Sequence, residues 1–399
     1  MTEVAAAEGL ILRRMGSFPS RGRALGEAVD TVLRQDVYAE RDQPPFDRVT
    51  MDGIAFAYRD WAAGMRTLRV VGTQGAGAPP LALAGPGECV EIMTGAVLPE
   101  GADTVVPVER ITRQGAEAAI ADPLAVTRHQ FIHARGSDRK SGSLLLPSGG
   151  WIGPTEVAVL ASAGCAEIQV TEPPRVAVIS TGDELVDVGD PIEPHQIRSS
   201  NDRAIEASLL HHHLARVTRR HIGDDRQSIR EGILRCHEDN DVLILSGGVS
   251  MGEYDYVPRV LEELGVELVF HRIEQRPGRP MWFGVSGDSK PVFALPGNPV
   301  STLVCLTRYV IPALRTAMGL APTAAEMVRL SERVEFPANL TYFLPVRVRW
   351  DDGGVPWAEP RPTNTSGDFV SLVGTQGFVE LARGADVYPE GTVARLFRW

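Results

Sequence analysis

Three segments of the sequence each contain an apolar stretch that is expected to form a strand, followed by a turn that contains glycine. We expect a helix after each turn. The three segments are RVAVISTGDEL at 175–185, DVLILSGG at 241–248 and PVFALPGNP at 291–299. Strands this apolar are buried on both faces, and their alternation with helices is typical of a parallel sheet covered on both sides. The sequence therefore predicts a three-layer α/β domain whose ligands bind at the carboxyl ends of its strands.

The remaining segments predict further domains around this sheet. Glycine- and proline-rich turns separate short strands such as Leu68–Val71, Cys89–Met93 and Thr104–Val108, which predicts an inserted β domain. The first forty residues lack this rhythm and are predicted to be helical, as is 154–163 with Pro154 at its first position. A helix is also expected from Ser200 or Asn201 to about Arg216. The predicted domains are a helical and linker domain (1–43 and 146–172), the inserted β domain (44–145), the three-layer α/β domain (173–322) and a small C-terminal β domain (323–399).

Charge and cysteine spacing exclude several classes of protein. Forty Lys and Arg residues against 51 Asp and Glu give a net charge of −11, which argues against non-specific nucleic-acid binding. The four cysteines are far apart, so neither a zinc knuckle nor a redox dithiol is indicated, and scattered thiols fit a reducing cytoplasm. We expect no secretory signal and no membrane span, because no apolar run approaches ~20 residues.

Two carboxylates follow the first strand, at Asp183 and Glu184 in TGDEL. Hard oxygen ligands at a strand end suit Mg²⁺. The pattern also fits a solvated acidic turn. Consecutive histidines at 211–213 diverge by ~100° per residue on a helix, so they do not predict a metal site. No metal is expected at His129 and His133 either, since they lack an HExxH context.

The loops after the second and third strands suit an anion. SGGVS contributes backbone N–H groups and the hydroxyls of Ser246 and Ser250, and LPGNPVS leads into a helix with free N–H groups. Arg276 and Arg279 flank Pro277–Gly278, and guanidinium groups match phosphates and other oxyanions. Each feature alone also fits an ordinary turn. Neither a Walker A loop nor GxGxxG is present, so a nicotinamide-dependent oxidoreductase is not indicated.

Several motifs in order resemble one family, the MoeA-like molybdopterin molybdenumtransferases, which are related to the C-terminal part of gephyrin. PPFDRVTMDGIA and EIMTGAVLPEGADTVV are similar to the family patterns of the inserted domain. TGDEL, SGGVSMGEYD and LPGNPVS match those of the sheet domain, and HQIRSSN echoes a further one ending at Asn201. The resemblance covers nearly the whole chain.

The resemblance implies transfer of molybdenum from molybdate to adenylylated molybdopterin, with release of AMP and with Mg²⁺ as the cation. It also implies a cytoplasmic homodimer in which one subunit's insertion faces the other's sheet domain, and a molybdopterin adenylyltransferase as a possible partner. The catalytic residues it implies are Asp52, Thr94, Asp183, Glu184 and Asp255, with Asp183 and Glu184 as the metal ligands. The substrate-binding residues are expected to be Ser246, Gly247, Gly248, Ser250, Arg276, Arg279, Pro296, Gly297, Asn298 and Ser301.

Several residues depart from the family pattern. Val49 and Ile54 stand where the first motif has Ser and Tyr, and Glu91 stands where the second has Arg. Phe131, His133 and Ser137 replace Asn, Arg and Glu, and Arg276 and Arg279 stand where the family usually has Lys. These departures support an alternative function, a non-catalytic carrier or scaffold that binds the pterin nucleotide.

Overall fold

A computed structural model describes residues 1–121, 125–248 and 256–399. The chain forms two compact units. Met1–Gln35, Ser148–Pro154 and Glu167–Trp399 make the larger unit, and Asp36–Pro147 with Thr155–Ala166 make the smaller one. No helix within the described ranges is long and apolar enough to cross a membrane. The helices are Val4–Met15, Tyr58–Ala62, Pro154–Ser162, Asn201–His211, Arg226–Asp239, Tyr256–Glu263, Pro299–Cys305 and Ile311–Ala317.

The smaller unit is built on a six-stranded sheet. In spatial order its strands are Thr104–Pro107, Gly53–Phe56, Glu88–Ile92, Thr67–Gln74, Glu117–Ile120 and Ile111–Gln114. The three short strands predicted from the sequence in this region are therefore confirmed. The strand Gly53–Phe56 is buried on both faces, because Ile54 and Phe56 pack in one core cluster and Ala55 packs in another. Two-stranded pairs join Arg48–Val49 to Ile132–His133 and Val37–Tyr38 to Leu144–Leu146.

A six-stranded sheet forms the centre of the larger unit. In spatial order its strands are Arg216–Ile222, Arg175–Thr181, Val242–Ser246, Pro291–Leu295, Trp282–Val285 and Glu267–His271. The three predicted strands are parallel, as expected, and Arg216–Ile222 joins them in parallel as a strand that was not predicted. Trp282–Val285 runs antiparallel to both of its neighbours. Val176 and Val178 enter one core cluster and Ala177 and Ile179 the other, so this strand is buried on both faces.

The predicted helix from Ser200 to Arg216 is shorter than expected. It ends at His211, and His213 adopts a φ of 55° in the turn that follows. Leu214 and Ala215 are buried, and Arg216 begins the edge strand of the sheet. The sequence suggested a longer helix because this edge strand, RVTRRHI, is mostly polar and does not resemble the apolar central strands.

The prediction of helix over the first forty residues was right only for Val4–Met15. Arg21–Ala24 and Val32–Leu33 are strands that flank Glu167–Thr171 in a three-stranded antiparallel sheet. Their partner strand lies more than a hundred residues away in the sequence, so no local pattern marks the pairing.

The C-terminal strands close into a barrel. Thr341–Trp350 pairs with both Pro356–Pro360 and Gly377–Leu381, and Glu326–Leu330 and Val393–Arg398 complete the ring. The β structure predicted for the C-terminal segment is confirmed. The short strand Gln275–Arg276 also joins the barrel, in parallel with the start of Thr341–Trp350. Two short pairs, Leu185–Val186 with Ile197–Arg198 and Val334–Glu335 with Val387–Tyr388, lie outside the larger sheets.

A buried arginine ties the first helix to the barrel. Arg308 is 3% exposed and lies in a π-helical turn, Leu306–Val310, between the last two helices. Its Nη2 donates to Glu8 at 2.9 Å and its Nε to Glu380 at 2.8 Å. Two carboxylates therefore neutralise one charge that has been removed from water, and they come from opposite ends of the chain.

We predict that Arg308→Met lowers the free energy of unfolding by about 3 kcal/mol, because it leaves two carboxylates without their counter-charge. The matched control is Arg398→Met, which removes an ion pair to Glu326 whose side chains are 40% and 42% exposed. An exposed pair contributes at most about 1 kcal/mol. Thermal unfolding of both variants checks the difference, and equal losses would contradict the assigned role of Arg308.

Candidate functional site

A cavity of about 1020 Å³ lies at the carboxyl ends of the parallel strands, bordered by the C-terminal barrel. The larger unit alone provides its lining. It brings together most of the binding residues expected from the sequence, although they come from four separate segments. Those that line it are Glu184, Gly247, Gly248, Arg276, Arg279, Pro296, Gly297, Asn298 and Ser301.

The Gly247–Gly248 turn requires glycine at both positions. Their backbone φ angles are 96° and 65°, values that residues with a side chain rarely adopt. A Cβ on Gly247 would lie 2.9 Å from the carbonyl oxygen of Thr181, and one on Gly248 would lie 2.7 Å from Val257. The bare backbone of the turn therefore borders the cavity, where N–H groups can reach an anion. The predicted residues Ser250 and Asp255 lie outside the described residues.

Asn201 links the second and third loops. Its Nδ2 donates to the hydroxyl of Ser246 at 2.9 Å and to the carbonyl of Gly297 at 2.7 Å. Ser246 is 3% exposed and does not line the cavity, so the structure places it beneath the site rather than in contact with a ligand. The side chain of Asn298 in turn donates to Ser366 at 2.8 Å, which attaches the third loop to the segment after the barrel strand Pro356–Pro360.

The acidic residues form a reciprocal arrangement at one side of the cavity. The backbone N–H of Asp224 donates to the carboxylate of Asp183 at 3.0 Å, and the N–H of Asp183 donates to that of Asp224 at 3.3 Å. Glu184 and Asp224 line the cavity, whereas Asp183 does not. No group of three or more His, Cys, Asp or Glu side chains within the described ranges is arranged as a metal site.

Arg276 and Arg279 are exposed and both line the cavity, on either side of Pro277–Gly278. Arg276 pairs in the strand register with Tyr342, whose ring stacks on Phe336 with centroids 4.2 Å apart. Burial raises the pKa of the Tyr342 hydroxyl, and the positive charge of Arg276 partly opposes that shift. Tyr342 therefore stays neutral, and the cavity has a cationic turn beside an aromatic wall.

Sequence reasoning missed several lining residues. Asp224 precedes a helix, and its side chain looks like an ordinary cap in the sequence. Tyr342 lies on a barrel strand, and its position opposite Arg276 depends on a pairing across 66 residues of chain. The run Thr363–Ser366 offered a signal, because hydroxyl and amide side chains before a glycine are typical of a functional loop or turn.

In the smaller unit, Asp52 and Thr94 form a pair. The Asp52 Oδ1 accepts hydrogen bonds from the backbone N–H of Thr94 at 2.6 Å and from its hydroxyl at 2.7 Å. These bonds lower the pKa of the Asp52 carboxyl, the backbone bond contributing most. Both residues are exposed, and the lowered pKa keeps the Asp52 carboxyl ionised at neutral pH.

Four of the departures in the smaller unit make identifiable contacts. Val49 and Ile54 are 0% and 2% exposed and pack in its two core clusters. His133 lies between Asp138 at 2.8 Å and Arg48 at 3.2 Å, so its ring takes part in a polar network. Glu91 accepts a hydrogen bond from the hydroxyl of Thr73 at 2.9 Å.

Comparison with known proteins identifies the family. The MoeA N-terminal region (domain I and II) matches residues 2–164, the probable molybdopterin binding domain matches 177–316, and the MoeA C-terminal region (domain IV) matches 327–396. The molybdopterin molybdenumtransferase of a Synechocystis species is 36% identical over 100% of both chains. The enzyme of that name from Staphylococcus aureus is 31% identical over 96% of this chain and 91% of its own.

Solved structures agree with this assignment. A molybdopterin biosynthesis MoeA protein from Pyrococcus horikoshii has a TM-score of 0.83 and 31% identity, covering 100% of this chain and 99% of its own. The fold is that of a multidomain α/β and β protein, and its cavity at the edge of the parallel sheet is lined by glycine turns, arginines and carboxylates. The chain belongs to the MoeA family.

We predict that Thr94→Val raises the pKa of Asp52 part of the way to its usual value, because the variant loses the hydroxyl donor and keeps the backbone donor. Because the Asp52 pKa is lower in the folded chain than in the unfolded chain, the hydrogen bonds from Thr94 stabilise the fold at pH values above the unfolded-state pKa. This stabilisation is lost as the pH falls through the folded-state pKa. Carboxyl ¹³C shifts measured against pH check this. Thr73→Val, which removes the donor to Glu91, should leave the Asp52 titration unchanged.

Proposed function

We propose that this chain catalyses the molybdenum insertion step of molybdenum cofactor biosynthesis, as a molybdopterin molybdenumtransferase. Molybdenum is transferred from molybdate to the dithiolene of adenylylated molybdopterin, and AMP is released. The observation that carries the proposal is the cavity of about 1020 Å³, whose lining combines two glycine turns, two arginines and carboxylates. Similarity over the full chain to proteins named for this activity supports it.

The residues act by binding and orienting rather than by covalent chemistry. The guanidinium groups of Arg276 and Arg279 bind oxyanions, either molybdate or the phosphates of the nucleotide. The backbone of Gly247 and Gly248 approaches the same ligand closely because it has no side chains. Fixed charges and N–H groups of this kind usually provide the largest part of catalysis in phosphate chemistry.

The carboxylates fit a magnesium ion held together with a substrate phosphate. Mg²⁺ is usually bound by one or two carboxylates and completes its shell with water and phosphate, so a cluster of three protein ligands is not needed. The carboxylates of Asp183 and Asp224 each accept a hydrogen bond from the other residue's backbone N–H, and Glu184 lines the cavity. We propose as the ligands Glu184, which lines the cavity, and Asp183, which adjoins the cavity through its hydrogen bonds with Asp224. The ion would neutralise charge that develops on the pyrophosphate when it is cleaved.

The carrier alternative is less well supported. Two of the departures that suggested it, Val49 and Ile54, are core residues rather than site residues. Two others, Arg276 and Arg279, retain the positive charge of the family's lysines. We propose that the reaction takes place in the cytoplasm, since the four cysteines are free thiols, and that an adenylyltransferase supplies the nucleotide substrate.

The deciding experiment incubates the purified protein with adenylylated molybdopterin, molybdate and Mg²⁺, and follows AMP release and formation of active cofactor. Release of AMP that depends on both molybdate and Mg²⁺ is expected. Binding of the nucleotide without turnover would favour the carrier, and an absence of binding would contradict both functions.

We predict that Arg276→Ala and Arg279→Ala each weaken molybdate or AMP binding by about ten- to a hundredfold. A charge-assisted hydrogen bond contributes ~1.5–3 kcal/mol, which corresponds to this factor. The Arg→Lys variants keep the charge and serve as matched controls that should lose little affinity. Higher turnover of the Lys variants would mean that the reaction prefers a compact ammonium group, and full affinity of both Ala variants would remove these residues from the site.

We further propose that the chain is a homodimer in which each reaction site uses the Asp52–Thr94 pair of one subunit and the cavity of the other. Asp52→Ala and Glu184→Ala should each abolish most activity. Mixed dimers of the two variants should regain up to about half of the wild-type activity per site pair, because one intact site forms. Light scattering measures the dimer mass, and mixed dimers that form but regain no activity would contradict shared sites.

A further inference from the structure

A buried hydrogen-bond network lies directly beneath the turn that carries the two arginines. Gln275, which precedes this turn, is 0% exposed. Its Oε1 accepts a hydrogen bond from the hydroxyl of Tyr309, and its Nε2 donates to the carbonyl of Pro277 at 3.0 Å. The side chain of Gln275 therefore connects the last helical segment of the α/β domain to the middle of the turn.

The chemistry of the groups fixes the direction of each bond. A proline carbonyl only accepts, so the amide NH₂ of Gln275 faces Pro277 and its oxygen faces Tyr309. The Tyr309 hydroxyl must then donate. Burial raises the pKa of Tyr309 well above its usual value, so the hydroxyl keeps the proton that this arrangement needs.

Gly278 packs against the same network. Its φ is 92°, and a Cβ there would lie 2.6 Å from the Sγ of Cys305 and 2.6 Å from the Nε2 of Gln275. The thiol of Cys305 lies 3.5 Å from the Gly278 carbonyl and donates to it. The carbonyls of Pro277 and Gly278, the two residues between the arginines, are therefore hydrogen-bonded to buried side chains, and neither of these two carbonyls can tilt without breaking a bond.

The supporting side chains belong to the segment that begins at the rim of the cavity. The helix Pro299–Cys305 starts after Asn298, and Tyr309 lies in the π-helical turn that continues it. Such turns are rare and are frequently found at functional sites. One continuous segment thus positions both the third loop and, through Cys305 and Tyr309, the arginine turn.

We propose that Tyr309 and Gln275 are positioning residues that hold the turn from Arg276 to Arg279 where both arginines line the cavity. Gln275 adjoins the cavity lining but is 0% exposed, and Tyr309 is 2% exposed and does not line the cavity, so we expect both to act through the turn. The inference rests on the proposed function, since it assigns the network a role in binding molybdate.

The test removes one hydroxyl and keeps the ring, with Tyr309→Phe. Titration with molybdate should show affinity weakened by about three- to tenfold, as expected for one lost hydrogen bond that leaves the Gln275 oxygen unpaired. The matched control is Tyr388→Phe, which removes a hydroxyl that donates a hydrogen bond to the carbonyl of Ala382 at 2.7 Å. Affinity in this control should equal that of the wild type.

A double variant separates positioning from general stability. If Tyr309 acts through the turn, the fold loss of molybdate affinity in the double variant Tyr309→Phe, Arg279→Ala should be smaller than the product of the two single-variant fold losses, by a factor of at least about two. Unchanged molybdate affinity in Tyr309→Phe, or losses that simply multiply, would overturn the inference.

Hydrogen exchange of residues 273–281 without ligand gives a second readout. Exchange should be faster in Tyr309→Phe than in the wild type or Tyr388→Phe, including at the Ile273 amide, which donates to the Arg279 carbonyl at 2.9 Å. Equal exchange rates would overturn the inference. A wild-type protein that binds no molybdate would contradict the proposed function, while this measurement would still decide whether the network holds the turn.

Discussion

Burial of the strand Arg175–Thr181 on both faces is the constraint on which the larger unit depends. Its side chains alternate between two core clusters, and it pairs in parallel with a strand on each side. Parallel strands start and end at the same edges of a sheet, so the loops that follow Thr181, Ser246 and Leu295 meet at one rim. Polar and glycine residues collect there because the sheet interior has no room for them.

Contact between backbones determines the shape of this rim. A Cβ at Gly247 would meet the Thr181 carbonyl, and the Asn201 side chain joins Ser246 to Gly297. The first and second loops thus pack directly on each other. The third loop is joined to the second through the Asn201 amide and through the Gly247 N–H, which donates to the Leu295 carbonyl at 3.4 Å. A site built this way offers a ligand N–H groups and bare backbone, which suit an extended anion better than a compact apolar molecule.

The departures from the family pattern show which chemistry this chain retains. Where the smaller unit loses a hydroxyl at Val49, the position is in the core and the replacement packs there. Where the larger unit exchanges lysine for arginine, the positive charge is retained and the support beneath it is a buried network of Gln275, Tyr309 and Cys305. The changes at Val49, Arg276 and Arg279 therefore preserve the core packing and the positive charge of the turn, whereas Glu91, which stands where the family has Arg, reverses a charge in the smaller unit.

The sequence by itself determined the three apolar strands, the glycine and arginine turns and the short strands of both β regions, because these depend on local composition and spacing. The ordered motifs also indicated the family. Only the tertiary structure decided that Ser246 lies beneath the site, that Asp224, Tyr342 and Ser366 belong to the cavity, and that Arg21–Ala24 is a strand. Each of these depends on a pairing or contact between residues far apart in the chain, and such contacts form only when burial of the core brings the distant segments together.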